Sequence, residues 1–465
     1  MNKTLIITLA GAASLMSSCS FGPVWSSPEM PVPDAFRGNG ISESSMADLP
    51  WQQVLHNSAL QALLADVFNN NRSLEAMMHN VNAARRYVTV ARSPLFPSLG
   101  YGASASKGAN QSGGAAVMQA GGATSAPGSA TLNASWELDL WGKTRKGVES
   151  AEASALATEE EFNNMRVSLL RQVAQGYLQL IMLDEQLKIA NEAVVSYRES
   201  LELFNNQLEG GVANKLQTFS AQAALSAAEA KIPDLESQIA AMENTLSALA
   251  GRMPGPITRT GTLLGFANAS KVSAGIPASV LARRPDIRAK EQKLRAANAE
   301  IGVAIANYFP SFSLTGVAGY ASADLTSSLS GKHTGWGIGA NLTGPLFNAG
   351  ALRATEKAKR DAFLAAKAEY EQSVYNAMAE VSTTLIQRSK LREIMKKQEQ
   401  AVAAYQESVK LSKSRYSQGL ANYYEVLTAQ QGLFPAQQQL AAYRYQYAAC
   451  VPSLYTQLGG GWQSK

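Results

Sequence analysis

Nucleophiles and soft metal ligands are sparse in this chain. His56, His79 and His333 are scattered, without the HExxH or paired Cys/His spacing that holds a metal. No serine, histidine and acid assemble into a hydrolytic set, and no phosphate-cradling loop is present. The thioethers of Met77 and Met78 would suit copper, but adjacent helical positions point to different faces, so core packing is their expected role. Neither an enzyme, a resident cofactor nor a resident metal is expected.

Cys19 is the residue best placed for covalent chemistry. Residues 1–20, MNKTLIITLAGAASLMSSCS, carry an early lysine, an apolar stretch from Leu5 to Met16 and small residues before the cysteine. That is a secretory signal, and residues 1–18 are expected to be removed. A cysteine directly after small residues resembles a bacterial lipoprotein signal, in which the thiol is acylated and becomes the first mature residue; Met16 stands where leucine is usual. The alternative is a plain signal with a bystander cysteine. By the same resemblance Ser20, in place of Asp, favours sorting to the outer membrane. Cys450 then has no disulfide partner and reads as a buried small apolar residue in AACVPSLY.

Composition narrows the class. The chain is 46% hydrophobic and 17% charged, with a formal charge of +5. Lysines and arginines are spread along it as on solvated helix faces, so no nucleic-acid partner is expected. Outside the N-terminus no run of 18 apolar residues exists, so no ordinary transmembrane helix is expected.

The elements that must position these residues occur twice. Residues 71–98 align without a gap on 284–311: Leu74 on Ile287, Ala83-Ala84 on Ala296-Ala297, Phe96-Pro97-Ser98 on Phe309-Pro310-Ser311. Residues 197–222 likewise lie on 405–430, matching Tyr197, Glu199, Gly211, Asn214 and Gln222 to Tyr405, Glu407, Gly419, Asn422 and Gln430. The expected layout is a lipidated extended or equatorial segment at 19–70, a first repeat at 71–251, a linker at 252–285, a second repeat at 286–458 and a tail at 459–465. Each repeat opens with a helix, near Ser73 or Asp286 as N-caps, which Phe-Pro-Ser ends. A strand pair (97–141 or 310–347), a long helix (143–209 or 350–418), a glycine turn and a return helix (213–250 or 421–457) follow.

Four segments alternate with period two. Leu99, Tyr101, Ala103 and Ala105 share one side; so do the even positions from Ala130 to Leu140, then Phe312, Leu314, Ala318 and Tyr320, then Trp336, Ile338, Ala340 and Leu342. Glu137 and Asp139 fall opposite and are expected at a lumen or its rim. Each segment has the length of a membrane β-strand, with the two-faced polarity of a water-filled barrel in lipid. Four strands cannot close such a barrel, and open edges are not tolerated in hydrocarbon, so several chains must contribute. Three would give twelve strands.

The stretch from Lys143 to Glu209 has no proline, and about 67 helical residues would span on the order of 100 Å. Leu169, Val173, Gly176, Leu180, Leu183, Leu187, Ala190, Val194, Tyr197, Leu201, Phe204 and Leu208 recur at alternating steps of four and three, a coiled-coil seam. The second repeat has a looser seam at Val381, Leu391, Met395, Val402, Tyr405, Val409 and Tyr416.

WELDLWGKTR (136–145), LARRPDIRAKEQ (281–292), LTGPLFNAGALRA (342–354) and RYSQGLANYYEVLTAQ (415–430), in this order in a duplicated chain, resemble the outer membrane factor family, the TolC-like efflux proteins, in its lipoprotein branch. The resemblance covers nearly the whole mature chain. It implies a mainly α fold with a membrane β-barrel: a homotrimer whose twelve strands, four per chain, continue into a long periplasmic coiled-coil barrel with a mixed α/β equatorial collar. The implied function is a passive exit duct of a tripartite efflux or type I secretion system. The implied partners are a periplasmic adaptor, an inner-membrane pump and outer-membrane lipid, with the chain lipid-anchored on the periplasmic side of a Gram-negative outer membrane.

By resemblance, Tyr416 and Glu425 match a tyrosine and an acidic residue of the closed pore, while Ala421 and Thr428 depart from the Arg and Asp of some relatives. Gly210, Gly211, Val212, Gly419, Leu420 and Ala421 form the helix tips that would meet the adaptor. Three Glu425 carboxylates would favour cations at a constriction. Tyr101, Trp136, Tyr320 and Trp336 are candidates for aromatic girdles at the lipid interface, and Trp141 either joins them or packs in the collar. The competing reading is a lipid-tethered periplasmic coiled-coil scaffold without channel activity. One outcome is expected directly: mass spectrometry of the mature protein finds acyl chains on the wild type and none on Cys19→Ala, and an unlipidated wild type rules acylation out.

Overall fold

The computed structural model describes residues 21–37, 44–105, 128–211, 214–269, 273–322 and 334–462. Cys19, Val212 and His333 lie outside the described residues. The helices are α1 (Trp51–Val54), α2 (Ser58–Asn70), α3 (Arg72–Arg92), α4 (Lys143–Glu209), α5 (Lys215–Leu249), α6 (Leu263–Ala269), α7 (Pro277–Arg283), α8 (Pro285–Ala306), α9 (Ala351–Ser417) and α10 (Tyr424–Gln457). The strands are β1 (Ser98–Ala105), β2 (Gly128–Leu138), β3 (Ser311–Ser322) and β4 (Thr334–Thr343). α4 and α9 are each 67 residues long. Among the described residues no helix is long and apolar enough to cross a membrane. The chain forms two units: residues 1–28, 80–158 and 290–370 in one, and 29–79, 159–289 and 371–465 in the other.

The first unit holds one antiparallel sheet in the order β1-β2-β3-β4, with β2 of one repeat joined to β3 of the other. Its register sorts the side chains by face, because residues directly opposite in antiparallel strands share a side. Tyr101, Leu132, Ala318 and Trp336 form one row, and Leu99, Ala134, Gly316 and Ile338 the next. Trp136, Leu314 and Ala340, then Leu138, Phe312 and Leu342, complete an apolar face. The other face carries Ser98, Ser135, Thr315 and Gly339 in one row and Gly102, Thr131, Gly319 and Gly335 in another. Leu99, Tyr101, Trp336 and Ile338 are exposed in the single chain. A sheet that displays its large apolar side chains outward is built for an apolar solvent.

The passage from β2 into α4 gives Asp139 a role that its place opposite the apolar face did not suggest. Its side chain is 8% exposed. The carboxylate accepts from the backbone N–H groups of Thr144 (3.0 Å) and Arg145 (2.9 Å) and from the Arg145 guanidinium (3.1 Å). It thus satisfies donors that the first turn of a helix leaves unpaired and sets a negative charge at the positive end of the dipole. Gly142 makes the bend at φ 79°, a conformation costly for any residue with a Cβ. Trp141 packs in this unit: its ring lies 5.1 Å from Phe309, which stacks 4.5 Å from Phe21, and its indole N–H donates to the Pro310 carbonyl at 2.7 Å. Phe21 is two residues after Cys19. The chain then follows α8, where Asn298 donates to the Pro23 carbonyl and Ser27 to Glu291.

The second unit is built on a core in which Leu60, Leu64 and Val67 of α2 cluster with Leu170, Val173 and Tyr177 of α4 and Val451 and Leu454 of α10. Along α4 the seam residues Leu169, Val173, Leu180, Leu183, Ala190, Val194, Tyr197 and Phe204 are buried. Tyr405 of α9 departs from its expected seam place: it is 42% exposed, its ring laid over Gly432, where any Cβ would meet it at 2.5 Å. The N-cap expected at Ser73 falls at Asn71, whose side-chain oxygen accepts from Leu74 N–H while its side-chain amide donates to the Leu249 carbonyl. Asp286 lies in the first turn of α8, where its carboxylate binds Arg284 at 2.7 Å. Arg284 also bonds Glu380 (3.0 Å) and the Gln457 carbonyl, so this one arginine of the 281–292 motif ties the start of α8 to α9 and α10. Core packing is overturned for Met78, which is 45% exposed, while Met77 is half-buried on the same helix. Cys450 is buried, and burial pushes its thiol up to about 11.

Removal of the Asp139 cap is expected to cost about 1–2 kcal/mol. Asp139→Ala should therefore melt earlier in detergent, with Asp139→Asn recovering part of the loss; equal melting of all three forms excludes the cap.

Candidate functional site at the helix tips

The two helical hairpins of the second unit end differently. α4 runs into Gly210 and Gly211, the latter at φ 70°, and α5 begins after Asn214, whose side chain accepts from Gln217 N–H while Gln217 bonds back to Asn214 N–H. This reciprocal pair is a capping box. α9 closes with the Leu420 N–H on the Arg415 carbonyl and the Gly419 N–H on the Tyr416 carbonyl, both 2.9 Å, with Gly419 at φ 72°. That is the Schellman pattern, which glycine permits.

Between the hairpins lies an apolar plug of Val194, Tyr197, Phe204, Leu225, Tyr423, Val426 and Leu427. A chain of uncharged polar groups runs through it. Ser200 is within 3.1 Å of both the Tyr423 hydroxyl and the Gln430 side-chain oxygen, and Gln430 donates to Ser196 at 2.7 Å. Closer to the tips, Gln207 donates to the Tyr416 hydroxyl at 2.6 Å, and the Tyr416 ring meets Tyr423 edge-on at 4.9 Å. Burial raises the Tyr423 phenol above its ordinary range, with Glu199 adding to the shift and Ser200 opposing it. Burial likewise pushes Tyr197 up to about 12. Both therefore keep their protons at neutral pH.

The two gate candidates have different surroundings. Tyr416 is half-buried and bonded to α4, whereas Glu425 is exposed and paired with Arg415 at 3.7 Å across the turn of its own hairpin. Arg415 supplies a positive partner that sequence reading did not single out. Ala421 carries no polar group, and Thr428 spends its hydroxyl on the Tyr424 carbonyl. Leu216, Phe219 and Leu420 are exposed near the turns; Leu420 was among the expected tip residues, and its apolar companions Leu216 and Phe219 were missed. Their signal is the placement of large apolar residues within a few positions of a glycine turn, where a soluble end would be polar.

Of the four girdle candidates, Tyr101 and Trp336 share a row and are exposed, while Trp136 donates its indole N–H to the Leu95 carbonyl at 3.0 Å. Tyr320 lies opposite Ala130 and Thr334 in the register. Among the described residues no group of three or more His, Cys, Asp or Glu is placed to hold a metal.

Residues 63–252 and 276–460 each match the family described as Outer membrane efflux protein, so the match itself is double. The chain is 34% identical to a probable efflux pump outer membrane protein, TtgC, of Pseudomonas putida, over 99% of this chain and 96% of that protein. It is 31% identical to the cation efflux system protein CusC of Escherichia coli, over 97% of each. A crystal structure of CusC superposes with a TM-score of 0.84 at 29% identity, covering 95% of this chain and 100% of that one. The open state of the MtrE outer membrane channel of Neisseria gonorrhoeae gives 0.83 at 26% identity, covering 96% and 99%.

Gln430→Leu strands the Ser196 and Ser200 hydroxyls inside the plug, at an expected cost of about 1–3 kcal/mol in local opening. Hydrogen exchange at the tips should speed up accordingly, with the α2 core unchanged. Arg415→Ala, which breaks an exposed pair, should leave the melting temperature within about a degree; the opposite ranking rules out the polar chain as what holds the two hairpins together.

Proposed function

The chain belongs to the outer membrane efflux protein family, and we propose that three copies of it form the outer-membrane exit duct of a tripartite efflux or type I secretion system. The observation that carries this reading is the sheet. It has an apolar face and a polar face, and β1 and β4 each have one neighbour only among the described strands. In hydrocarbon those edges need partners, which copies of the same sheet supply: β4 of one chain pairs with β1 of the next until the ring closes at twelve strands. The polar faces then line water.

Transport through such a duct is passive, and the family is one of transport channels, so the energy comes from an inner-membrane pump. Leu216, Phe219 and Leu420 at the tips are suited to an adaptor's apolar surface, alongside Gly210, Gly211, Val212, Gly419 and Ala421. Acylation of Cys19 is supported by Phe21, which packs on Phe309 just where β3 begins, so that a lipid two residues earlier has the bilayer within reach. The closed state is held by the Gln207–Tyr416 bond and the Ser200–Tyr423–Gln430 chain, with Glu425 giving cations a favourable site at the constriction.

Planar-bilayer recording tests the duct. The wild type should pass small currents, and Tyr416→Phe combined with Arg415→Ala should raise them severalfold. Glu425→Ala should raise basal conductance or relieve block by multivalent cations. A purified trimer that passes no current even with altered tips leaves the scaffold reading in place of the duct.

A further inference from the structure

The polar face of the sheet is almost featureless electrostatically. β1, β3 and β4 contain no Asp, Glu, Lys or Arg, and β2 contains one, Glu137. Above its row the face offers glycine, serine, threonine, asparagine and one valine: Ser98, Ser135, Thr315 and Gly339, then Gly100, Asn133, Val317 and Gly337. In Glu137's own row stand Ser313 and Asn341, both uncharged. The side chain of Glu137 is exposed, and among the described residues it makes no hydrogen bond or ion pair. The contrast with Asp139, two residues on, is chemical: that carboxylate is consumed by the helix start, and this one is left to solvent. Lys143 borders the same small pocket of about 160 Å³ at the foot of the sheet without forming an ion pair with it.

We propose that Glu137 sets the charge selectivity of the β-section of the duct, as a ring of unpaired carboxylates at the foot of an otherwise uncharged lumen, favouring cationic over anionic permeants. This rests on the channel reading, which supplies the three-fold ring. An unpaired carboxylate costs nothing in water and creates a potential that the uncharged side chains of the strands do not offset. Symmetry repeats it at one level, as in the charged rings that select ions in other pores. Its reach is set by screening: about 10 Å at 0.1 M salt and about 3 Å at 1 M, so the preference is strong in dilute salt and fades in concentrated salt. The row also provides a replacement position. Asn341 lies two strands from Glu137, roughly 10 Å away at the spacing of paired strands, and is exposed on the same face.

The experiment is the reversal potential of single trimers in a KCl gradient, in a Tyr416→Phe, Arg415→Ala and Glu425→Gln background so that the tips neither close the pore nor select. With Glu137 present, the potential should show cation preference, larger near 0.1 M than near 1 M. Glu137→Gln should bring the cation-to-anion permeability ratio close to one, and Glu137→Gln with Asn341→Asp should restore at least half of the difference, which a merely structural role would not do. Equal reversal potentials for the three forms, with current flowing, overturn the assignment to Glu137 and leave the duct intact. No current in any of them overturns both.

Discussion

The outer edges of β1 and β4 are rows of backbone donors and acceptors that a bilayer does not leave unpaired, and much of the design follows from that. A sheet with a lipid-suited face and open edges is incomplete alone. The pairing of β2 with β3 joins the two repeats inside one chain, so the same contact that links repeats is the natural template for linking chains. Duplication thus supplies both the internal seam and the model for the external one.

Once the wall is fixed at both edges, each strand pair must feed a helix without a long connection. The two repeats solve this with different chemistry. The first uses a carboxylate, Asp139, on the N–H groups of Thr144 and Arg145, with Gly142 making the bend. The second uses backbone shape: Ala349 at φ 50°, the one non-glycine residue with positive φ among those described, followed by Gly350 at φ 86°. Leu346 and Phe347, just before it, are exposed in the single chain. The helix tips diverge in the same way, a capping box in one hairpin and a Schellman turn in the other. Repeats that share a topology have drifted in the local means of achieving it, even where, as at Gly211 and Gly419, their sequences align without a gap.

What could be read without coordinates follows the same division. Period-two alternation placed Leu99, Tyr101, Leu132, Trp336 and Ile338 on one face, and the register agrees, because alternation is a property of the backbone itself. The α4 seam was legible for the same reason. The capping role of Asp139 was not legible, because a period-two reading extends through a strand's last residues and carries no information on when a carboxylate is claimed by the next helix. Ser73 and Asn71 are both plausible caps by type; the choice was made by α2, which ends at Asn70 and leaves Asn71 as the hinge between two helices. The proline of Phe-Pro-Ser was read as a breaker, and the return helices were drawn through Pro233, Pro435 and Pro452; all three sit inside α5 and α10, where packing against long neighbours outweighs the lost hydrogen bond. The Ser200–Tyr423–Gln430–Ser196 chain was invisible, since its members come from helices separated by more than two hundred residues and serine and glutamine are ordinary surface types.

That chain of hydroxyls and amides has a consequence for how the molecule responds to its surroundings. Its members are neutral, and the tyrosine in it is driven further from ionisation by burial. Nothing in it changes charge between mildly acidic and mildly alkaline media, and nothing in it is weakened much by salt, which screens ions and leaves hydroxyl–amide bonds alone. Such a fastening does not sense its environment. Because Ser196 and Ser200 stand on one hairpin and Tyr423 and Gln430 on the other, breaking it takes a displacement of one hairpin against the other.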